Sequence, residues 1–201
     1  MLDNIRVFKQ NSIKINNIYI DPYGIDSSYN DAKYIFITHD HYDHYSDDDI
    51  KKVITDDTIF ILPLSMKEKY NYDNDVIYVE PNNSYNLDNI CFKTVSMYNI
   101  NKEYHKKEHN WCGYVINIDN SWYYTVGDSD YITEMNGIDC DVIFIPIGGT
   151  YTMDVYEAIE CLSNINYKYV IPVHYGSIVG DVNLGNIIKD KIGDNCIIKI
   201  K

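Results

Sequence analysis

The segment Thr38-His39-Asp40-His41-Tyr42-Asp43-His44 directly follows the apolar run Tyr34-Ile35-Phe36-Ile37. The run is β-branched and aromatic, which is typical of a buried strand. Residues two apart in an extended segment point to the same side, so His39 and His41 can bind one metal ion together. A turn after His41 would bring Asp43 and His44 to the far side of that ion, where a second ion could bind. Imidazole and carboxylate groups suit zinc, iron and manganese, so the segment predicts a metal centre at the end of a strand.

Two further residues with metal-binding side chains follow apolar runs in the same way. Asp128 comes shortly after the run that ends at Thr125, and His174 directly follows Tyr169 to Val173. If these strands lie side by side with the strand before His39, their ends meet at one edge, where α/β proteins place their sites. We therefore expect His39, Asp128 and His174 to converge.

The order of these residues resembles that of the metallo-β-lactamase superfamily. Its members carry His-x-His-x-Asp-His, here residues 39–44, after an early Asp and before a later His, Asp and His. The matching residues in this chain are Asp21, His105, Asp128 and His174. The resemblance runs over nearly all of the 201 residues.

Other segments are similar to the small ascorbate-phosphate-lactonase-like branch of that superfamily. They are residues 127–130, 146–153 and 171–176. The branch often carries a Gly-His-Ser element near the first hairpin, where this chain has Gln10-Asn11-Ser12.

The resemblance implies a site with two divalent metal ions, zinc first, with manganese or iron as alternatives. It assigns His39, His41 and His105 to one ion, Asp43, His44 and His174 to the other, and Asp128 to both. Asp21 is implied to orient a metal-binding His rather than to bind metal itself. His109 lies in the same polar loop as His105 and is the alternative ligand there.

The resemblance also implies a hydrolase that uses a metal-bridging hydroxide on a small ester, lactone or phosphodiester, with Asp43 and Asp128 as catalytic residues. Oxygen-reducing relatives usually carry Glu where this chain has His41, which favours hydrolysis over redox chemistry. Thr150, Tyr151 and Thr152 follow a Gly-Gly pair and are candidates to line the substrate pocket, the alternative being a loop that only turns the chain. The alternative is a metal- and ligand-binding protein, a sensor or partner with little or no turnover.

The pattern of apolar runs predicts one domain over residues 1–201, of the α/β (α+β) class. The first half is rich in strands and the second alternates strand and helix, which two sheets packed face to face with outer helices would accommodate. The resemblance makes this a four-layer αββα sandwich. Strands are expected at 5–8, 12–15, 18–20, 34–37, 58–62, 76–79, 90–95, 111–118, 122–125, 142–145, 169–173 and 196–200, with turns at Asn82-Asn83 and Asp88-Asn89. Helices are expected from Ser46 to about Ile54, over 65–70, from Asp154 and over 183–191, with Ser46 and Asp154 as N-caps.

The composition limits the partners. A formal net charge of −13 argues against a nucleic-acid surface, which needs clustered Lys and Arg. The five Cys form no Cys-x-x-Cys pair, and the N-terminus lacks the layout of a signal peptide. No apolar run approaches the roughly 20 residues of a membrane span. We therefore expect a cytoplasmic protein with reduced thiols and a small-molecule substrate.

Overall fold

Short, mostly buried strands build two mixed sheets that pack face to face in the computed structural model, which describes residues 2–87 and 90–200. The first sheet contains, in spatial order, β1 (Ile5–Val7), β2 (Ile13–Ile15), β3 (Ile18–Ile20), β4 (Tyr34–Phe36), β5 (Ile59–Pro63) and β6 (Val76–Val79). The second contains β7 (Ser84–Leu87), β8 (Ile90–Ser96), β9 (Cys112–Ile118), β10 (Ser121–Thr125), β11 (Val142–Pro146) and β12 (Tyr169–Val173). Strands β3 to β6 and β10 to β12 run parallel, and the other neighbours are antiparallel.

Helices cover the outer face of each sheet. The α-helices are α1 (Asp47–Ile50), α2 (Val155–Leu162) and α3 (Leu184–Ile192), and short 3₁₀ helices lie at Leu2–Asn4, Leu64–Lys69, Lys107–His109, Thr133–Met135 and Gly193–Asn195. Ile50 and Met66 pack on the first sheet, while Ala158 and Ile188 pack on the second. These four layers confirm the predicted αββα sandwich. Within the described residues, no helix combines the length and apolarity needed to cross a membrane.

The core between the sheets is built around Phe36 of β4. Its ring centroid lies 5.2 Å from those of Phe92 and Tyr114 on the opposite sheet, in edge-to-face contact. All three side chains are almost completely buried, and each such burial stabilises a fold by roughly 1.5–3 kcal/mol. The first sheet is therefore fixed against the second at the strand that leads into the His-rich segment.

The expectation that the strands before His39, Asp128 and His174 lie side by side is wrong. Strand β4 belongs to the first sheet, and β10 and β12 belong to the second, where β11 separates them. The strand ends still meet, because the two sheets face each other at this edge. The Tyr114 hydroxyl donates a hydrogen bond to the Ile37 carbonyl at 2.7 Å, which ties the sheets together there.

Helix α1 is shorter than predicted, and Ser46 does not cap it. The regular helix ends at Ile50, and hydrogen-bonded turns continue to Ile54. The Ser46 hydroxyl donates to Asp49 instead of accepting from the backbone. The Asp49 carboxylate accepts hydrogen bonds from the amides of Gly24 and Ile25, so this segment also holds the neighbouring loop in place.

The segment predicted as a final strand, residues 196–200, joins the sheet only at its start. Cys196 forms one isolated bridge with Val170 of β12, and the Ile197 amide donates to the Val170 carbonyl at 2.8 Å. The apolar residues of this segment are still used in packing, since Ile197 lies against the core between the sheets and Ile198 against the core beneath the outer helices of the second sheet. Strand β7 was not predicted, since its residues alternate exposed and half-buried without an apolar run. The predicted turn at Asp88-Asn89 lies outside the described residues.

The Asp154 cap predicted from the sequence is confirmed and supports a stability test. Its side chain accepts hydrogen bonds from the amides of Tyr156 and Glu157 at 2.8 and 2.9 Å. We expect Asp154→Ala to lower the free energy of unfolding by about 1 kcal/mol in urea denaturation. Asp48→Ala, which removes an exposed carboxylate in the first turn of α1, should change it by less than about 0.5 kcal/mol. Equal losses would contradict a specific cap at Asp154.

Candidate metal centre

The loop after β4 brings the first group of imidazoles together. His39 Nε2 and His41 Nδ1 lie 3.1 Å apart, and His105 completes a set whose ligand atoms all lie within 4.8 Å of one another. His105 comes from the loop between β8 and β9 of the opposite sheet. The pairing of His39 with His41 is the one expected for residues two apart in an extended segment.

A tight turn then places the second group beside the first. The amides of His44 and Tyr45 both donate to the His41 carbonyl, at 3.0 and 2.9 Å. This reverses the chain, and Asp43 and His44 form a set with His174 whose ligand atoms again lie within 4.8 Å. His174 directly follows β12 and has a left-handed backbone (φ 56°).

The carboxylate of Asp128 lies between the two groups. Its Oδ1 is 3.4 Å from His44 Nε2, and its Oδ2 is 3.0 Å from His174 Nε2 and 3.5 Å from His105 Nε2. Asp128 follows Gly127, at which a Cβ would come within 2.5 Å of the Met97 sulfur. Glycine therefore allows the chain to pass this point and deliver Asp128 to the centre.

The donor set fits divalent cations. Three buried atoms that face the centre have no hydrogen-bond partner among the described residues: His44 Nε2, His105 Nε2 and Asp128 Oδ1. Burying such atoms without a partner costs free energy, and native structures rarely tolerate it unless water or an ion satisfies them. Imidazole nitrogen and carboxylate oxygen are ligands of zinc, iron and manganese.

Hydrogen bonds at Nδ1 leave the Nε2 atoms of three imidazoles free to bind. Nδ1 of His44 lies 2.8 Å from Asp21 Oδ2, and Nδ1 of His105 lies 2.9 Å from Asn99 Oδ1. Nδ1 of His39 lies 3.0 Å from the Thr38 hydroxyl. An imidazole that donates from Nδ1 presents the lone pair of Nε2, which is how metal-binding His residues are usually oriented.

Burial keeps the first group of imidazoles in the form that binds metal. It lowers the pKa of His39 well below its ordinary value, and it also lowers the pKa of His41. The same cause lowers the pKa of His105 to about 4. All three side chains are therefore neutral near pH 7, and neutral imidazole is the ligating species.

The carboxylates around His44 favour positive charge at the centre. Burial lowers the pKa of His44, but the carboxylates of Asp128 and Asp21 outweigh burial and raise this pKa well above its ordinary value. Burial raises the pKa of Asp128, but His174 and His44 outweigh it and hold this pKa well below its usual range. A divalent cation would supply the positive charge that these carboxylates favour.

Asp21 supports the centre from behind. It is fully buried and accepts hydrogen bonds from the Thr38 amide (2.7 Å), the Thr38 hydroxyl (2.7 Å) and Asn11 Nδ2 (2.8 Å), in addition to the contact with His44. This contact with His44 is the one expected of the orienting role that the resemblance implies.

Asn99 gives His105 the same kind of support and was missed in the sequence. Its Oδ1 faces His105 Nδ1, and its Nδ2 donates to Asp130 Oδ1 at 3.1 Å and to the Tyr151 carbonyl at 2.9 Å. Lys102 also donates to Asp130. An isolated Asn six residues before a His carries no recognisable signal, because its partners come from two distant loops.

The remaining sequence candidates divide into those that reach the centre and those that do not. Tyr151 lines the cleft above it, whereas Thr150 is absent from the described lining. Within the described residues, His109 belongs to neither the first nor the second group of ligand atoms, nor to the set that His39, His44 and Asp128 form. Its ring packs on Trp111 with centroids 4.3 Å apart. Gln10 was also missed, although its fully buried amide faces His174.

Comparison with known proteins gives consistent matches. The sequence model of a family described as "Beta-lactamase superfamily domain" matches residues 7–174. A metal-dependent hydrolase of Carboxydothermus hydrogenoformans is 36% identical over 72 residues, 34% of this chain and 32% of the relative. A metal-dependent hydrolase of Thermoplasma volcanium is 30% identical over 148 residues, 71% of this chain and 66% of the relative. The two alignments thus span about one third and about two thirds of the relatives' own length. The crystal structure of a protein of Parabacteroides distasonis described as a metal-dependent hydrolase matches with a TM-score of 0.84 and 27% identity, covering 98% of this chain and 93% of that chain.

His105 and His109 can be separated by substitution. We expect His105→Ala to reduce the metal bound per chain, measured by elemental analysis after dialysis, because it removes a buried ligand atom of the first group. His109→Phe keeps a ring against Trp111 and should leave metal content unchanged. The opposite pattern would move the ligand four residues along the chain.

A second substitution tests the support from Asp21. In the wild type the donors share the two carboxylate oxygens of Asp21, whereas Asn at this position has only one accepting oxygen. Asp21→Asn should therefore weaken metal binding by about 10–100-fold in calorimetric titration. It should also destabilise the metal-free protein by about 1–3 kcal/mol, since a buried donor loses its partner. The control is Asp31→Asn. The Asp31 carboxylate accepts hydrogen bonds from Tyr19 and Lys14 at a place away from the centre. Unchanged metal affinity in Asp21→Asn would exclude the orienting role.

Proposed function

This chain belongs to the metallo-β-lactamase superfamily, and we propose that it is a dinuclear metal-dependent hydrolase of small, uncharged esters or lactones. The observation that carries the proposal is the convergence of buried His and Asp side chains at the floor of a cleft of about 290 Å³. The alternative, a binding protein with little or no turnover, is an outcome of the test below.

The residues divide between two ions. His39, His41 and His105 would hold one ion, and Asp43, His44 and His174 would hold the other. Asp128, whose carboxylate lies against His44, His105 and His174, would supply a ligand to both. Two bound divalent ions, zinc first and manganese or iron as alternatives, lower the pKa of water towards neutrality and polarise a substrate oxygen. The buried Asp21 and Asn99 keep the ligand rings in place.

The nucleophile is water rather than a side chain. Among the described residues that line the cleft there is no Ser, Thr or Cys, the side chains that form acyl-enzyme intermediates most often. Asp43 retains 12% exposure of its side chain, compared with 4% for Asp128. Asp43 is thus the carboxylate placed to accept a hydrogen bond from water that enters the cleft and to orient it towards the substrate.

The walls of the cleft favour an uncharged substrate. Above the His and Asp side chains they consist of Tyr42, Tyr104, Tyr151 and Ile178, with the rings of Tyr104 and Tyr151 in edge contact at 4.6 Å. No Lys or Arg is present in the described lining. Aromatic walls bind apolar groups through contact area, whereas a phosphate or carboxylate on the substrate would lack a side-chain counter-ion.

The lysines of the loop that carries His105 are already paired. Lys102 contacts Asp130, Lys106 contacts Glu103 and Lys107 contacts Glu134. Each lysine of this loop therefore already has a carboxylate partner, and none is left unpaired to bind an anionic substrate. Esters and lactones are therefore better candidates than phosphodiesters, which the sequence left equally open.

Metal analysis combined with a matched substrate pair tests the proposal. We expect about two ions per chain by elemental analysis, and faster hydrolysis of methyl 4-acetoxybenzoate than of the 4-acetoxybenzoate anion, by about tenfold or more in kcat/KM. The two acetyl esters differ in a charge remote from the reacting carbonyl. Dihydrocoumarin, a lactone, and bis(4-nitrophenyl) phosphate extend the panel.

An Asp43→Asn protein purified in the same way serves as the control for contaminating esterases. It should lose about 10²-fold or more in kcat, with its metal content measured alongside. Equal rates for the two acetyl esters would refute the preference for uncharged substrates, and turnover of the phosphodiester alone would refute the substrate class. A metal-loaded protein that hydrolyses none of the panel but binds one of its members tightly would instead be a binding protein.

A further inference from the structure

Gln10 occupies an unusual position in the turn between β1 and β2. Its backbone is left-handed (φ 52°), its side chain is fully buried, and its carbonyl accepts a hydrogen bond from the His174 amide at 3.0 Å. The turn thus reaches from the first sheet to the end of β12 in the second. No assigned role explains why a long amide side chain is enclosed there.

The amide of Gln10 lies against two ligand atoms of the second group. Its Nε2 is 3.2 Å from His174 Nε2 and 3.3 Å from Asp43 Oδ2. Two ligands of one ion, each about 2.1 Å from it and separated by 90–109°, lie about 3.0–3.4 Å apart. The amide therefore has the spacing of a neighbouring ligand towards both atoms.

The other end of the amide is unsatisfied. Gln10 Oε1 is buried and has no hydrogen-bond partner among the described residues. The terminal torsion of Gln is broad and roughly two-fold, so a half-turn places the oxygen where the nitrogen now lies. A cation next to Asp43 and His174 would select that orientation, because the amide oxygen is the end that can coordinate it.

We propose that Gln10 is a fifth protein ligand of the ion assigned to Asp43, His44, His174 and Asp128, binding through its amide oxygen. The inference rests on the proposed metal centre and adds a ligand that the His-rich segment does not supply. An amide oxygen is a hard ligand, and it adds a coordination position at this ion. The second site should therefore favour Mn²⁺ relative to Zn²⁺ more strongly than the first, in which three of the ligands are imidazoles.

Two variants at position 10 test the ligand. Gln10→Gly removes the amide, and glycine adopts the left-handed backbone without strain. Gln10→Glu keeps the shape and offers only oxygen. In calorimetric titration of the metal-free proteins with Mn²⁺ and Zn²⁺, Gln10→Gly should weaken one of two sites by about tenfold or more, with the larger loss for Mn²⁺, and Gln10→Glu should keep or increase that affinity.

Asn16→Gly is the matched control. Asn16 has a similar backbone (φ 53°) in the hairpin at the opposite end of β2. The affinity of the Asn16→Gly protein for Mn²⁺ and Zn²⁺ should equal that of the wild type. Circular dichroism and thermal melting of the metal-free variants confirm that each is folded.

The outcomes separate this inference from the proposed function. If Gln10→Glu weakens the site as much as Gln10→Gly does, the amide acts as a donor to Asp43 and the inference is wrong. Two wild-type sites that neither Gln10 variant changes would also overturn it, while the metal centre would stand. A wild-type chain that binds no divalent metal would overturn both.

Discussion

The buried carboxylate of Asp21 is the interaction on which the rest of the site depends. It accepts hydrogen bonds from Asn11 in the β1–β2 turn and from Thr38 after β4, and it contacts His44 beyond the next turn. A carboxylate without water costs free energy unless its oxygens are satisfied, so these three segments must arrive together. The contacts that satisfy Asp21 also fix His44 and Thr38. The fold of this edge therefore also positions His44, one of the candidate ligands.

The centre is divided between two sheets, which links metal binding to their packing. His39, His41, Asp43 and His44 follow β4 of the first sheet, whereas His105, Asp128 and His174 lie in connections of the second. Neither sheet alone presents a complete set of ligands. The contacts of Tyr114 with Ile37 and of His174 with Gln10 join the sheets beside the ligands. A bound ion would thus stabilise the closed sandwich by binding only when both halves are in place.

How far the sequence predicts this structure depends on the range of the interactions. The pairing of His39 with His41 and the cap at Asp154 rest on a few adjacent residues, and both are found as expected. Ser46 follows the same local rule and does not cap, because Asp49 is drawn to amides of a distant loop. Asn99 acts through partners 31 and 52 residues away, and such partners leave no local pattern. The sequence predicts where strands end, whereas the side chains that come together at those ends are set by the tertiary fold.

The charge of the chain and the shape of the cleft favour the same chemistry. A net charge of −13 attracts divalent cations and repels anions at long range, which is consistent with the proposed metal centre and with the proposed preference for uncharged substrates. At short range the pairing of Lys102 with Asp130 has a comparable effect, since it uses a nearby cation to hold the loop that carries His105. With the proposed ions bound, positive charge would be concentrated in the metal centre rather than in the walls of the cleft. Under the proposed function, the aromatic surface would bind the substrate and the ions would activate it, an arrangement that suits a small neutral ester.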